Sequence, residues 1–307
     1  MTKLSPLASV SETRAVLEAH GLSTKYSLGQ NFLINDAILQ KIVALADLAP
    51  DDYVLEVGPG IGTLTIALLR CAGRVLSVER DPDLPAVLAE TLAPWSDRFA
   101  LISKDALDLT MDDLREAGTP SGALPDKFVA NLPYAVAATV VLDYFEQFAS
   151  LDSATVMVQK EVADRMAAVP GTKNYGAYTV KLRLHAEPAG RFGVGPGNFF
   201  PPPRVESAVL RLDRRPVFDD DGAQLDADAI AAACTMAEAA FATRRKTLSN
   251  SCKTYFAGRG PQGAAVIAAL PQLFERAGVD PRLRGETLDL PAFVRLGRAY
   301  QQLGAPA

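Results

Sequence analysis

Asn131-Leu132-Pro133-Tyr134 directly follows the apolar run Lys127-Phe128-Val129-Ala130, so an amide, a strand-breaking imide and an aromatic ring meet where a buried strand ends. A turn alone would account for such a stretch. The same groups also suit one demanding reaction, methylation of the exocyclic amine of adenine. The lone pair of that amine is delocalised into the ring and must be redirected before it can attack. The Asn131 side-chain oxygen and the Leu132 carbonyl, exposed because Pro133 ends the strand, would accept the two N6 hydrogens. Tyr134 would stack on the extruded base for about 1–3 kcal/mol, comparable with the few kcal/mol that extrusion costs. No strong base is required, because the donor's positive charge is discharged in the transfer and the N6 proton leaves to water afterwards.

A methyl donor needs its own site, and residues 53–65, YVLEVGPGIGTLT, offer one. Gly58-x-Gly60-x-Gly62 between a strand and a helix start lets backbone amides approach a ligand without Cβ interference. The dinucleotide fingerprint is G-x-G-x-x-G; here the third glycine comes one position early and Pro59 sits in the turn. An acid beside the loop, Glu56, suits a cofactor without phosphates, and the E-x-G-x-G pattern suggests S-adenosylmethionine. The next apolar run ends in Glu79, placed to accept from both ribose hydroxyls. Asp105 ends the run after that and would accept from the adenine amino group of the cofactor.

The elements that must position these groups follow from periodicity. Short apolar runs alternate with helix-like segments: YVLEV, residues 63–70, GRVLSVE, residues 84–92 and FALISKDAL. This alternation predicts βαβ units and a parallel sheet. KFVANL and ATVMVQK extend the sheet, and a helix is expected over 161–168. After Gly176 the stretches TVKLRLHAE, RFGVGPGNFFPPP and RVESAVLRLDRR read as antiparallel strands joined by a proline-stiffened loop. PVFDDDGAQ marks a boundary, beyond which the chain reads as helices and loops. The expected domains are 1–215, holding the cofactor and catalytic groups, and 216–307, a small helical domain.

Bulk properties narrow the alternatives. With 307 residues, 49% apolar and 22% charged, the chain can bury a sizeable core. It has neither the roughly 18 uninterrupted apolar residues of a membrane span nor an N-terminal apolar segment of the signal-peptide kind, and is expected in the cytoplasm. Cys71, Cys234 and Cys252 are widely spaced and His20 and His185 are the only histidines, which leaves little material for a metal site, a disulfide framework or a Ser-His-Asp triad. A net charge of −5 argues against a surface that grips nucleic acid everywhere. Residues 241–260 nevertheless contain Arg244, Arg245, Lys246, Lys253 and Arg259 and no acid, a candidate phosphate-contacting patch.

With these residues in place, the chain resembles the ribosomal RNA adenine N6-dimethyltransferase family in its KsgA-type small-subunit branch. Besides the glycine loop and NLPY, the likeness rests on SLGQNFL (27–33), VQKEVADRM (158–166), NYGAYTVKLR (174–183), FFPPPRVESAVLRL (199–212) and FATRRKTLSNSCK (241–253). The resemblance implies an α/β, Rossmann-like class I S-adenosylmethionine-dependent methyltransferase with a mainly parallel seven-stranded sheet and a C-terminal helical domain that contacts RNA. It implies that Asn31 and Leu33 cover the cofactor, that Gly58, Gly60, Glu79 and Asp105 contact it, and that Asn131 lies at the transfer point. Phe199 and Phe200 would sandwich the target base opposite Tyr134. The substrate would be two adjacent adenosines in the 3′-terminal hairpin of 16S rRNA, met in the small ribosomal subunit; a monomer is the default expectation and no metal is expected from the few histidines and cysteines. Lys104, where the family usually has glycine, Ala137-Ala138, where it usually has hydroxyl residues, and the acidic pI of 5.2 depart from the pattern. Two rivals remain open at this point: a large-subunit rRNA adenine methyltransferase of the macrolide-resistance type, and a noncatalytic ribosome-assembly factor.

Overall fold

The computed structural model describes residues 3–23, 30–117 and 122–303. Ser27–Gly29 of the SLGQNFL stretch therefore lie outside the described residues. In chain order the elements are α1 (Val10–Ala19), β1 (Phe32–Leu33), α2 (Asp36–Ala46), β2 (Tyr53–Val57), α3 (Thr63–Leu69), β3 (Arg74–Glu79), α4 (Leu84–Thr91), β4 (Phe99–Ser103), α5 (Met111–Glu116), β5 (Lys127–Asn131), α6 (Ala137–Gln147) and β6 (Ser153–Gln159). They continue with α7 (Lys160–Met166), α8 (Ala177–Arg183), β7 (Ala186–Val194), β8 (Phe199–Phe200), β9 (Ser207–Arg214), α9 (Ala227–Phe241), α10 (Leu248–Ala257), α11 (Gly260–Ala277) and α12 (Leu290–Gln301).

Seven strands form one sheet in the order β4-β3-β2-β5-β6-β9-β7. The pairs β2 with β3, β3 with β4, β2 with β5 and β5 with β6 are parallel, and β6 with β9 is antiparallel. The direction of winding reverses between β2 and β5, and in open sheets of this kind ligands sit at the carboxyl ends of the strands beside such a reversal. All five residues of β2 are buried, which explains why the strand reads as an apolar run interrupted only by Glu56: both of its faces are covered.

On one face, Val54, Val75, Val129, Met157 and Val209 share a buried cluster with Leu39 and Ile42 of α2 and Ile66 of α3. On the other, Phe128 of β5 packs against Tyr144 of α6 with ring centroids 5.1 Å apart. Fully burying a side chain of this size is worth about 1.5–3 kcal/mol, so these two layers fix the sheet that carries the strand ends. A separate two-stranded ladder joins β1 to β8, pairing Phe32 with Phe200 and Leu33 with Phe199.

The chain forms two compact units, residues 1–163 with 188–214, and residues 164–187 with 215–307. The break near 215 lies where composition changes, but residues 164–187, expected with the first domain, belong to the second unit. The same segment corrects a strand expectation: TVKLR is helical, in α8. Its alternation of Val180, Leu182 and Leu184 suggested period two. In the structure Val180 joins a cluster with Met236 and Phe293, whereas Leu184 joins another with Leu225 and Ala229. A short helix buried on more than one side gives up the polar face that would reveal its period. Within this second unit α9 and α12 approach closely: a Cβ on Gly297 would come within 2.7 Å of the Ala233 backbone nitrogen.

Candidate active site

The glycine loop forms as its sequence dictates. Gly58 and Gly60 adopt φ of 69° and 59°, the left-handed region that favours glycine. The Gly58 N–H donates to the Val78 carbonyl at 3.0 Å, tying the loop to the next strand. A side chain at Gly60 would meet the Phe32 ring at 3.0 Å. Gly58, Pro59 and Gly60 line a cavity of about 690 Å³, together with Val57 and Thr63 on the same stretch.

Three further strand ends reach this cavity. Glu79 closes β3, is 8% exposed, and accepts from the Asp81 N–H at 2.8 Å through Oε1. Burial raises its carboxyl above the ordinary carboxylate range. Asp105 follows β4; its Oδ1 accepts from the Leu107 N–H at 3.1 Å and its Oδ2 from Arg80 at 2.9 Å, and these hydrogen bonds lower its carboxyl. Asn131 closes β5, and its Nδ2 donates to the Asn31 carbonyl at 3.2 Å. Leu132 is 2% exposed, and its N–H donates to the Met157 carbonyl at 3.0 Å. Pro133, without an N–H, ends the ladder and packs against the glycine turn: its Cδ would lie 3.6 Å from a Cβ on Gly58. The Tyr134 hydroxyl is 2.6 Å from Ser207 Oγ, and burial raises its pKa.

The structure brings most of the expected residues together. Asn31, Leu33, Gly58, Gly60, Glu79, Asp105, Asn131, Leu132, Pro133 and Tyr134 all line the one cavity. Glu56 is 1% exposed and does not line it. Its Oε2 instead accepts from Thr65 Oγ1 at 2.7 Å and Ser77 Oγ at 2.8 Å. These bonds tie β2 to α3 and β3, and burial pushes the carboxyl up to about 7. Phe199 is 2% exposed within the core cluster, and the Arg14 guanidinium stands 5.1 Å from the centre of the Phe200 ring. Neither phenylalanine lines the cavity; Pro201 to Val205, just after them, do.

Gln30, Arg80, Lys104 and Gln159 also line the cavity and were not anticipated. Arg80 and Gln159 stand at or just past strand ends, the same signal that marked Glu79 and Asn131. The donor set fits S-adenosylmethionine. Carboxylates stand at two adjacent strand ends, and the cations beside them are already paired, Arg80 with Asp105 at 2.9 Å and Lys104 with Asp113 at 2.7 Å. Glu79 thus stays as a buried acceptor, which suits a cationic donor with ribose hydroxyls and opposes a pyrophosphate.

In the second unit Arg244, Arg245, Lys246 and Lys253 are exposed. Arg244 is engaged, with its Nε 3.4 Å from Glu286 and its guanidinium donating to the Lys173 carbonyl. Among the described residues no group of three or more His, Cys, Asp or Glu side chains is arranged to hold a metal, and no helix is long and apolar enough to cross a membrane.

A doubly wound sheet with a glycine turn, an acid at the second strand end and Asn-Leu-Pro-Tyr at the fourth defines a Rossmann-like S-adenosylmethionine-dependent methyltransferase. The model of the ribosomal RNA adenine dimethylase family matches residues 21–268, and the chain belongs to that family. It is an enzyme that uses S-adenosylmethionine to dimethylate adenine in ribosomal RNA. A ribosomal RNA small subunit methyltransferase A from Corynebacterium diphtheriae is 40% identical over 293 residues, 94% of this chain and 93% of that protein. The fold matches a dimethyladenosine transferase from Plasmodium falciparum with a TM-score of 0.73 at 22% identity, over 90% of this chain and 99% of that one. The 23S rRNA methyltransferase ErmE matches with a TM-score of 0.61 at 26% identity, over 89% of this chain and 100% of its own.

Proposed function

We propose that this methyltransferase acts on the small ribosomal subunit, converting two adjacent adenosines of the 3′-terminal hairpin of 16S rRNA to N6,N6-dimethyladenosine during subunit assembly. It works in the cytoplasm as a monomer. The observation that carries this reading is the small-subunit relative, 40% identical through 94% of the chain. The 23S enzyme, at 26% identity, supports the large-subunit alternative more weakly.

S-adenosylmethionine supplies an electrophilic methyl group on a sulfonium. The chain's residues prepare the nucleophile. Because the Asn31 carbonyl takes up Asn131 Nδ2, Asn131 Oδ1 is the atom offered to an N6 hydrogen, and the Leu132 carbonyl is offered the other. Accepting both hydrogens localises the lone pair on N6 and aims it at the donor. Tyr134 stacks on one face of the base, its ring held by the bond to Ser207. We assign the opposite face to the loop Pro201–Val205, which lines the cavity, in place of Phe199 and Phe200. Arg245, Lys246 and Lys253 in the second unit are the proposed phosphate contacts.

The test is transfer of labelled methyl from S-adenosylmethionine to undermethylated small subunits and, separately, to large-subunit particles, with modified nucleosides mapped by mass spectrometry. Dimethyladenosine confined to adjacent positions near the small-subunit RNA 3′ end is the expected result. Label in the large subunit alone would replace this reading with the resistance-type one.

A further inference from the structure

Gln159 has no role in the reading above, yet it is placed among the groups that act on the base. It is the last residue of β6 and lines the cavity. Its register partner across the antiparallel pair is Ser207, and Met157, two residues earlier, pairs with Asn131 on β5. Side chains two apart on a strand, and those directly opposite across a ladder, share one face of a sheet. Asn131, Met157, Gln159 and Ser207 therefore stand on one face, in rows that continue those of the core residues Val129 and Val209. Ser207 in turn holds the Tyr134 hydroxyl at 2.6 Å. On this face Gln159 lies directly opposite Ser207, whose hydroxyl fixes Tyr134, and one row beyond the Met157–Asn131 pair. Its side chain is partly buried and makes no hydrogen bond with the described residues.

We propose that Gln159 is a specificity residue that donates from its side-chain N–H to N1 of the extruded adenine. The inference rests on the adenine-N6 reaction of this cavity. With the N6 hydrogens directed to Asn131 and Leu132, the Watson–Crick edge still presents N1, an acceptor, and a flipped base is read along that edge. A carboxamide turned N–H first donates to N1 of adenine; guanine would need it turned the other way, and its O6 would meet the two acceptors of Asn131 and Leu132, so the three contacts are made together only by adenine. The contact also serves both rounds of methylation. N6-methyladenine has lost one N6 hydrogen but keeps N1, so Gln159 holds the base after one of the other two hydrogen bonds has gone.

The experiment compares wild-type enzyme, Gln159→Ala and Gln159→Glu in single-turnover transfer to particles assembled with adenosine, 1-deazaadenosine or 7-deazaadenosine at the target positions. It uses whichever ribosomal particle the wild-type enzyme labels, so a failure of the small-subunit assignment leaves this test standing. On adenosine, Gln159→Ala should lose roughly tenfold, the size of one hydrogen bond to the base, and Gln159→Glu, which sets a carboxylate against the N1 lone pair, at least as much. Binding of S-adenosylhomocysteine, measured by calorimetry, should be unchanged. The wild-type enzyme should lose a similar factor on 1-deazaadenosine, and Gln159→Ala should lose nothing further on it. Independent losses that multiply, coupling to 7-deazaadenosine in place of 1-deazaadenosine, or full activity of Gln159→Ala would each overturn the proposal.

Discussion

Asn131 and Asn31, 100 residues apart in sequence, meet where the Asn131 amide donates to the Asn31 carbonyl at 3.2 Å. One hydrogen bond orients the Asn131 amide and ties down the segment whose Asn31 and Leu33 line the cavity. Asn131→Ala removes that bond, at about 1 kcal/mol of stability, and removes the proposed N6 acceptor. Transfer should fall at least about a hundredfold at saturating substrates, while urea denaturation shows a folded protein. Turnover within a few-fold of wild type would take the amide out of the chemistry.

Tyr134 divides into a ring and a hydroxyl that can be tested apart. Tyr134→Phe and Ser207→Ala break the same 2.6 Å bond, so each should slow transfer only a few-fold, and the double variant should be no worse than either alone. Tyr134→Ala removes the stacking platform, worth about 1–3 kcal/mol, or roughly five- to hundredfold in rate. Equal losses for Tyr134→Phe and Tyr134→Ala would mean that the hydroxyl matters and the ring does not.

Glu56 predicts a pH dependence of stability. Burial holds its folded-state carboxyl at about 7, above the roughly 4.3 of an unfolded chain. The native state therefore binds this proton more tightly. The associated stability is complete below the unfolded value and is lost as pH rises through about 7. Glu56→Gln keeps a carbonyl acceptor for Thr65 and Ser77 and cannot ionise. Between about pH 5 and pH 8 the wild-type protein should lose stability relative to this variant, on the order of 3 kcal/mol, in urea titrations. A difference independent of pH would show that Glu56 stays ionised throughout.

In the second unit the exposed cations should separate by their engagement. Arg245→Glu with Lys246→Glu should weaken RNA association and reduce the slope of log affinity against log salt by about 0.7–0.9 for each phosphate no longer neutralised. Arg244→Ala should act more on stability, because Arg244 is bonded to Glu286 and to the Lys173 carbonyl. Filter binding across a salt series gives the slopes, and an unchanged slope for the double reversal would move the RNA surface elsewhere.

Sequence reasoning read the strand ends well, because strand period and the residue that stops a strand are local properties. Gly58, Glu79, Asp105 and Asn131 were all placed where the chain turns out of the sheet, and all line the cavity. What escaped it depended on register and depth. Phe199 is drawn into the core by pairing with Leu33, 166 residues earlier. Glu56 points below the loop because Thr65 and Ser77 wait there. Gln159 reaches the cavity by virtue of its neighbours on β5 and β9. Burial of α8 on more than one side erases the helical period that would distinguish it from a strand.

The two-residue ladder between β1 and β8 joins two distant stretches of chain into one wall of the cavity. Leu33 lines the cavity on one side of the ladder, and the prolines that follow Phe200 line it on the other. The two half-sites are therefore not free to drift apart over generations. On the proposed roles, a replacement that refits the β1 side to the donor would displace the loop assigned to the base, and the reverse. Variation in one segment is then expected to be matched in the other, the two being revised as a pair.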